Sequence, residues 1–168
     1  MAIAKFINCL WFDHEAEEAA NYYVSIFRDG KILRTAYYGE EGKEVHGGEN
    51  GAVLTVEYEI NGTKFVNLNG GREPFTFNES VSFIINCDTQ DEIDYYWEKL
   101  KEGGNPKAQQ CGWLKDKYGL SWQVSSPILD DLIASSDREK ADRVMKAMMP
   151  MKKIIIKDIE EAAAGKDF

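Results

Sequence analysis

At 168 residues the chain has room for one compact core, or for two half-size modules that share one, but not for two independent enzymatic domains. With 43% hydrophobic and 29% charged residues, and with four Trp, eight Tyr and eight Phe, the composition is globular and excludes disorder. A formal charge of -9 with no basic stripe excludes a nucleic-acid partner and gives no attraction to anionic lipid.

The first twelve residues hold a short apolar run, but Asp13, Glu15, Glu17 and Glu18 stand where a signal peptide would place its cleavage site. No export is expected, no stretch has the length of a membrane span, and a cytoplasmic location follows, with Cys9, Cys87 and Cys111 as reduced, buried small side chains. Residues 3–12 read as a strand. Asp13 is placed to cap a helix carrying Ala20, Tyr23, Val24 and Phe27 at helical spacing, and Asp29-Gly30 ends it. Residues 32–38 suggest a second strand. Residues 39–51, with five glycines and His46, read as a loop suited to be a lid. Residues 53–60 and 63–68 are strand-like around Asn61-Gly62, a strong hairpin signal.

After Pro74 the order repeats. Residues 81–86 form a strand, Asp88 or Thr89 caps a helix through Ile93, Tyr96, Trp97 and Leu100, and Gly103-Gly104 stops it. Residues 107–114 and 120–124 supply two further strands, and Asn21-Tyr22-Tyr23 in the first helix matches Asp94-Tyr95-Tyr96 in the second. In the tail, Ala141, Val144, Met145 and Met148 form an apolar helical stripe before Pro150, read as core or dimer packing, and residues 157–164 form another helix. Sheets with a helix on one face leave their opposite faces to enclose a ligand.

Three segments carry a family resemblance: Cys9-Leu10-Trp11-Phe12-Asp13, Leu68-Asn69-Gly70-Gly71, and the run from Gly112-Trp113-Leu114-Lys115-Asp116 to Gly119-Leu120-Ser121-Trp122-Gln123. Together they resemble PhnB-like proteins of the vicinal oxygen chelate superfamily, which contains glyoxalases, bleomycin-resistance proteins and dioxygenases. The tail from Ala141 to Gly165 is similar to an extension that many PhnB-like proteins carry. The resemblance implies an α+β fold of two β-α-β-β-β modules forming a shared curved sheet around a pocket, with a C-terminal helical extension. It also implies a homodimer. The expected organisation is a single glyoxalase-like domain over residues 1–168, with modules at 1–73 and 74–127 and the extension at 128–168.

Metal-dependent members of the superfamily hold an ion with four His, Glu or Gln side chains on equivalent strands. Those positions map to Asn8, Asn67, Ser82 and Gln123, and strand alternation is expected to turn Asn67, Asn69, Ser121 and Gln123 away from the helices. Asn8, Asn67, Ser82 and Gln123 supply no imidazole and no carboxylate, so no metal and no cofactor are expected. The expected site is instead a neutral polar ring, with Asn69 added and Trp11, Phe65 and Trp113 as apolar walls, suited to a small organic ligand. Three alternatives stand beside this. One is a metal-dependent lyase or isomerase of the glyoxalase kind, using Gln123, His46 and a carboxylate. Another is the demethylubiquinone methyltransferase label that relatives carry, disfavoured because no strand, G-x-G loop and helix seat S-adenosylmethionine. The third is a dimeric interaction protein with a vestigial pocket. Whether the protein is an enzyme stays open.

Overall fold

The computed structural model describes residues 6–166, and the chain divides into two compact units, residues 1–75 and 76–168. In the first unit, β1 (Asn8–Phe12), α1 (Ala16–Ile26), β2 (Lys31–Tyr37), the short α2 (Lys43–His46), β3 (Val53–Ile60) and β4 (Thr63–Asn69) follow in order. The strands form one sheet in the order β1-β4-β3-β2, with β1 parallel to β4 and the other neighbours antiparallel. The β3-β4 turn has positive φ at both Asn61 (48°) and Gly62 (68°), the backbone twist that matches a tight hairpin and that Asn-Gly supplies at little steric cost.

Helix α1 buries Ala16, Ala19, Ala20, Tyr23 and Ile26, a spacing that puts small side chains and one ring on a single face. That face lies on β3 and β4, where Tyr23 stacks on Tyr58 (6.1 Å between centroids) and Tyr58 on Phe65 (5.3 Å). The expected cap, Asp13, does not serve α1. Glu15 is the N-cap and makes no capping bond with its own side chain. The role passes to β4, where Asn69 Oδ1 accepts from Ala16 N (2.8 Å).

The second unit comprises β5 (Ser82–Asn86), α3 (Gln90–Lys101), a 3-10 turn (Pro106–Ala108), β6 (Trp113–Lys115), β7 (Ser121–Ser125), α4 (Pro127–Ile133), α5 (Arg138–Met148) and α6 (Ile156–Ala163). Its sheet runs β5-β7-β6, parallel between β5 and β7 and antiparallel between β7 and β6. The strands are thus carried in two sheets, one per unit. Thr89 caps α3 in a reciprocal box with Glu92. The strand expected over residues 107–114 shortens to β6, because Pro106 opens the turn and Cys111 and Gly112 take consecutive positive φ values of 50° and 83°, which no strand accommodates. Gly112 is required there: a Cβ would lie 2.8 Å from Val124 O and 3.2 Å from the Ile154 side chain.

The tail belongs to the second unit. Cys111 N and Gly112 N donate to Met151 O and Lys152 O (2.8 and 2.7 Å), Ile154 is fully buried, and the Gln90 amide brackets it by donating to Ile154 O and accepting from Ile156 N. Lys153 adds an ion pair to Asp94 (2.7 Å), and this contact, with the Gln90 amide, holds the Asp94 carboxyl below its ordinary value. A lowered folded-state value means that the stabilisation is complete above the ordinary carboxylate range, about pH 4, and is lost as the pH falls through the lowered value. Both partners are partly exposed, so Lys153→Met is expected to cost at most about 1 kcal/mol at pH 7. In urea titrations the gap between wild type and variant should narrow as the pH falls below the ordinary carboxylate range, about pH 4. A gap that widens on acidification would contradict the assignment.

Candidate functional site

Strand register assigns each expected site residue to a sheet face. In the first unit, Asn8 pairs with Phe65, Leu10 with Asn67 and Phe12 with Asn69, and this set faces α1. Phe65 is 4% exposed and Asn67 is fully buried, donating from Nδ2 to Ala16 O (3.1 Å). Asn69 accepts from Ala16 N, donates to Val53 O (3.0 Å), and takes the Tyr38 hydroxyl on its carbonyl. Asn8, Phe65, Asn67 and Asn69 therefore lie on the helix side, not on the open face where the sequence placed them. Asn69 supplies the acceptor that the Ala16 N–H needs, because the first turn of a helix leaves its N–H groups unpaired, and Asn67 adds a second tie from the sheet through Ala16 O. Trp11 alone of the first-unit set lies on the open face.

Trp11 is 37% exposed and fixed edge-on: Nε1 donates to Gly71 O (2.9 Å), its ring meets Phe75 (5.5 Å), and a Cβ at Gly70 would lie 2.1 Å from the indole. Gly70 is the residue that lets the indole lie against the backbone. The same face carries Leu68 and Thr55 in register with Trp11, and Val66, Glu57 and Arg34 in register with Cys9. Sequence alternation missed this face because β4 reads Phe65-Val66 and then Leu68, apolar on both sides. Its carboxylates are committed, Glu57 to Arg34 and Glu59 to Lys31.

In the second unit the expected residues do come together. Leu114, Trp122 and Val124 are buried on the α3 side, while Ser82, Trp113, Ser121 and Gln123 alternate to the other face. Gln123 Nε2 donates to Ser82 Oγ (2.9 Å). Ser121, paired in register with Ser82, is 1% exposed, and its hydroxyl has no hydrogen-bond partner among the described residues. Asn67 Oδ1 and Ser126 Oγ are also buried without a partner among the described residues, but Ser121 Oγ shares a sheet face with the Ser82–Gln123 pair, where a polar atom or water from outside the chain would satisfy it. Ile84 stands 57% exposed in the same row as Gln123 and Trp113.

The histidines lie elsewhere. His14 is exposed beside Asp13. His46 stacks on Tyr38 (4.4 Å), its Nδ1 accepts from Gly48 N (2.9 Å), and Nε2 is left to donate to Glu41 O (3.2 Å), so both ring nitrogens serve the loop. Among the described residues, no three His, Cys, Asp or Glu side chains converge as metal ligands do. Of the cysteines, Cys87 alone is buried, its thiol pushed up to about 12 chiefly by desolvation, whereas Cys9 is exposed and Cys111 half-buried. Among the described residues no helix is long and apolar enough to cross a membrane.

Comparison with known proteins decides the family. The 3-demethylubiquinone-9 3-methyltransferase profile matches residues 4–125. The chain belongs to that family. A PhnB protein of Bacillus cereus, provisionally named a 3-demethylubiquinone-9 3-methyltransferase, is 34% identical, with a TM-score of 0.61 over 72% of this chain and 98% of that one. A Pseudomonas aeruginosa protein (16% identity, TM-score 0.56, 74% and 98% covered) shares the fold. So does the fosfomycin resistance protein FosX of Mesorhizobium loti (11% identity, TM-score 0.52, 80% and 100% covered). No curated protein matches the sequence. The chain is thus a PhnB-like protein with a fold of the vicinal oxygen chelate type, and α4, α5 and α6 lie beyond the matched region.

The metal chemistry of the superfamily's metal-dependent members would meet a poor donor set here. The second sheet offers a neutral serine and glutamine already bonded to each other, and the first offers a thiol and carboxylates held by Arg34 and Lys31. A divalent ion at neutral pH wants imidazole or free carboxylate, so the residues present do not fit one. S-adenosylmethionine fits no better. The turns from β1 to α1 and from β5 to α3 contain no glycine and instead carry Asp13, Glu15 and Asp88, so neither forms the glycine-rich cradle of a nucleotide-binding crossover.

Proposed function

We propose that this PhnB-like protein binds a small, neutral or weakly polar organic molecule without a metal, on the face of β5-β7-β6 turned away from α3. One observation carries the proposal: Ser82, Ser121 and Gln123 share that face, and Ser121 keeps a buried hydroxyl with no partner among the described residues. The Ser82–Gln123 pair can re-aim its donors and acceptors toward a ligand, and Trp113 and Ile84 give apolar surface. Trp11 and Leu68 present similar surface on the first unit's open face. Methyl transfer, which the family name would bring, is no part of the proposal, for want of a nucleotide cradle. A homodimer is proposed with it, on the family resemblance.

Purified protein, expressed in medium supplemented with manganese, nickel and zinc and then gel-filtered, is expected to carry far less than one metal ion per chain by inductively coupled plasma mass spectrometry. One tightly held equivalent per chain would overturn the metal-free reading.

A further inference from the structure

Outside the sheets, the second unit holds a cleft of about 450 Å³ between α5 and α6, within the size range of small-molecule sites. Its floor is apolar, made by Ala147, Met151 and Ala162. Its rim is cationic, with Arg143, Lys146 and Lys166 against one acid, Asp158, in a chain whose net charge is -9. Arg143 is pre-set: Nε and one terminal nitrogen donate to Ala162 O and Ala163 O (3.1 and 3.0 Å), fixing the guanidinium at the C-terminal end of α6. That uses two of its five N–H groups. Lys166 is shared with Glu161, but Lys146, one turn beyond Arg143 on α5, has no ion pair among the described residues.

We propose that this cleft is a second ligand site, for a compact organic monoanion with an apolar body. The carboxylate or sulfonate would take hydrogen bonds from Lys146 and the remaining Arg143 N–H groups, and the apolar body would cover Ala147, Met151 and Ala162. A neutral ligand would leave the rim charges unmatched, and Asp158 opposes a second negative charge on the ligand. The site stands apart from the proposed sheet-face site, and it shares no residue with it.

Octanoate is the probe, titrated into the full-length ¹⁵N-labelled protein and followed by amide chemical shifts. Saturable shifts are expected at residues of α5, α6 and the segment joining them, with 1-octanol, of equal tail length, binding about tenfold more weakly. Lys146→Glu should weaken octanoate about tenfold and Lys146→Arg by no more than about threefold. Lys146 is exposed, so both variants should melt as wild type does, and Lys146→Ala serves if the glutamate variant does not. No saturable shift, shifts confined to β5, β6 and β7, or equal affinity for octanoate and octanol with indifference to Lys146→Glu would each overturn the proposal.

Discussion

Replacing Asp116 by alanine is expected to lower the free energy of unfolding by about 3–5 kcal/mol, the largest loss foreseen for any single side chain here. Asp116 is 2% exposed and accepts hydrogen bonds from Tyr118 N (2.9 Å), Leu120 N (3.1 Å) and Trp122 Nε1 (2.9 Å). It is the clip that closes the β6-β7 turn and seats the Trp122 indole. Alanine strands those donors, two of them backbone groups of the turn, and each orphaned buried group costs roughly 1–3 kcal/mol before water enters the gap. Asn keeps one acceptor oxygen but turns an amide toward a donor, so Asp116→Asn should fall between, at about 1–3 kcal/mol. Urea denaturation of the three proteins checks the order. A loss below about 1 kcal/mol for alanine would mean that the turn holds without the clip.

Asn69→Ala should cost about 2–3 kcal/mol, since the side chain both caps α1 through Ala16 N and donates to Val53 O on β3. Asn69→Asp separates the two roles. Aspartate still accepts at the helix N-terminus, where a negative charge is favoured, but it cannot donate to a carbonyl. Hydrogen exchange should therefore show the first turn of α1 opening in the alanine variant and staying protected in the aspartate variant, while both destabilise the β3 edge of the contact. Equal protection in wild type and alanine variant would return the capping role to the Glu15 region.

These two residues also show how far the sequence could be read. The repeated strand-helix-hairpin order was legible because Asn61-Gly62, a capping residue at Asp88 or Thr89, and the spacing of Tyr23 or Trp97 are local signals with local causes. Face assignment was legible in β7, where Leu120, Trp122 and Val124 alternate with polar residues, and not in β4, where Val66 and Leu68 are apolar on the open side. Asn67 and Asn69 look like pocket residues in sequence. What reveals them as ties is Ala16, 51 and 53 positions away, whose N–H needs an acceptor that no local side chain supplies and whose carbonyl takes a second bond from Asn67. Likewise, the family's most specific segment owes much of its wording to structure: Gly112 admits the tail segment at Ile154, Asp116 clips the turn, and Trp113, Ser121 and Gln123 face the proposed site. The helix α4 escaped detection because its seven residues bury only Leu129, too little to show a period.

Ligand binding on the face that carries Gln123 should need no metal. Its most direct test is a thermal-shift measurement on EDTA-treated protein across a panel of neutral aromatic and aliphatic alcohols, amides and quinones. A saturable rise in Tm is expected with at least one compound in the presence of EDTA, lost in Gln123→Leu. A panel without any such rise, or a rise that appears only after manganese, nickel or zinc is added, would contradict it.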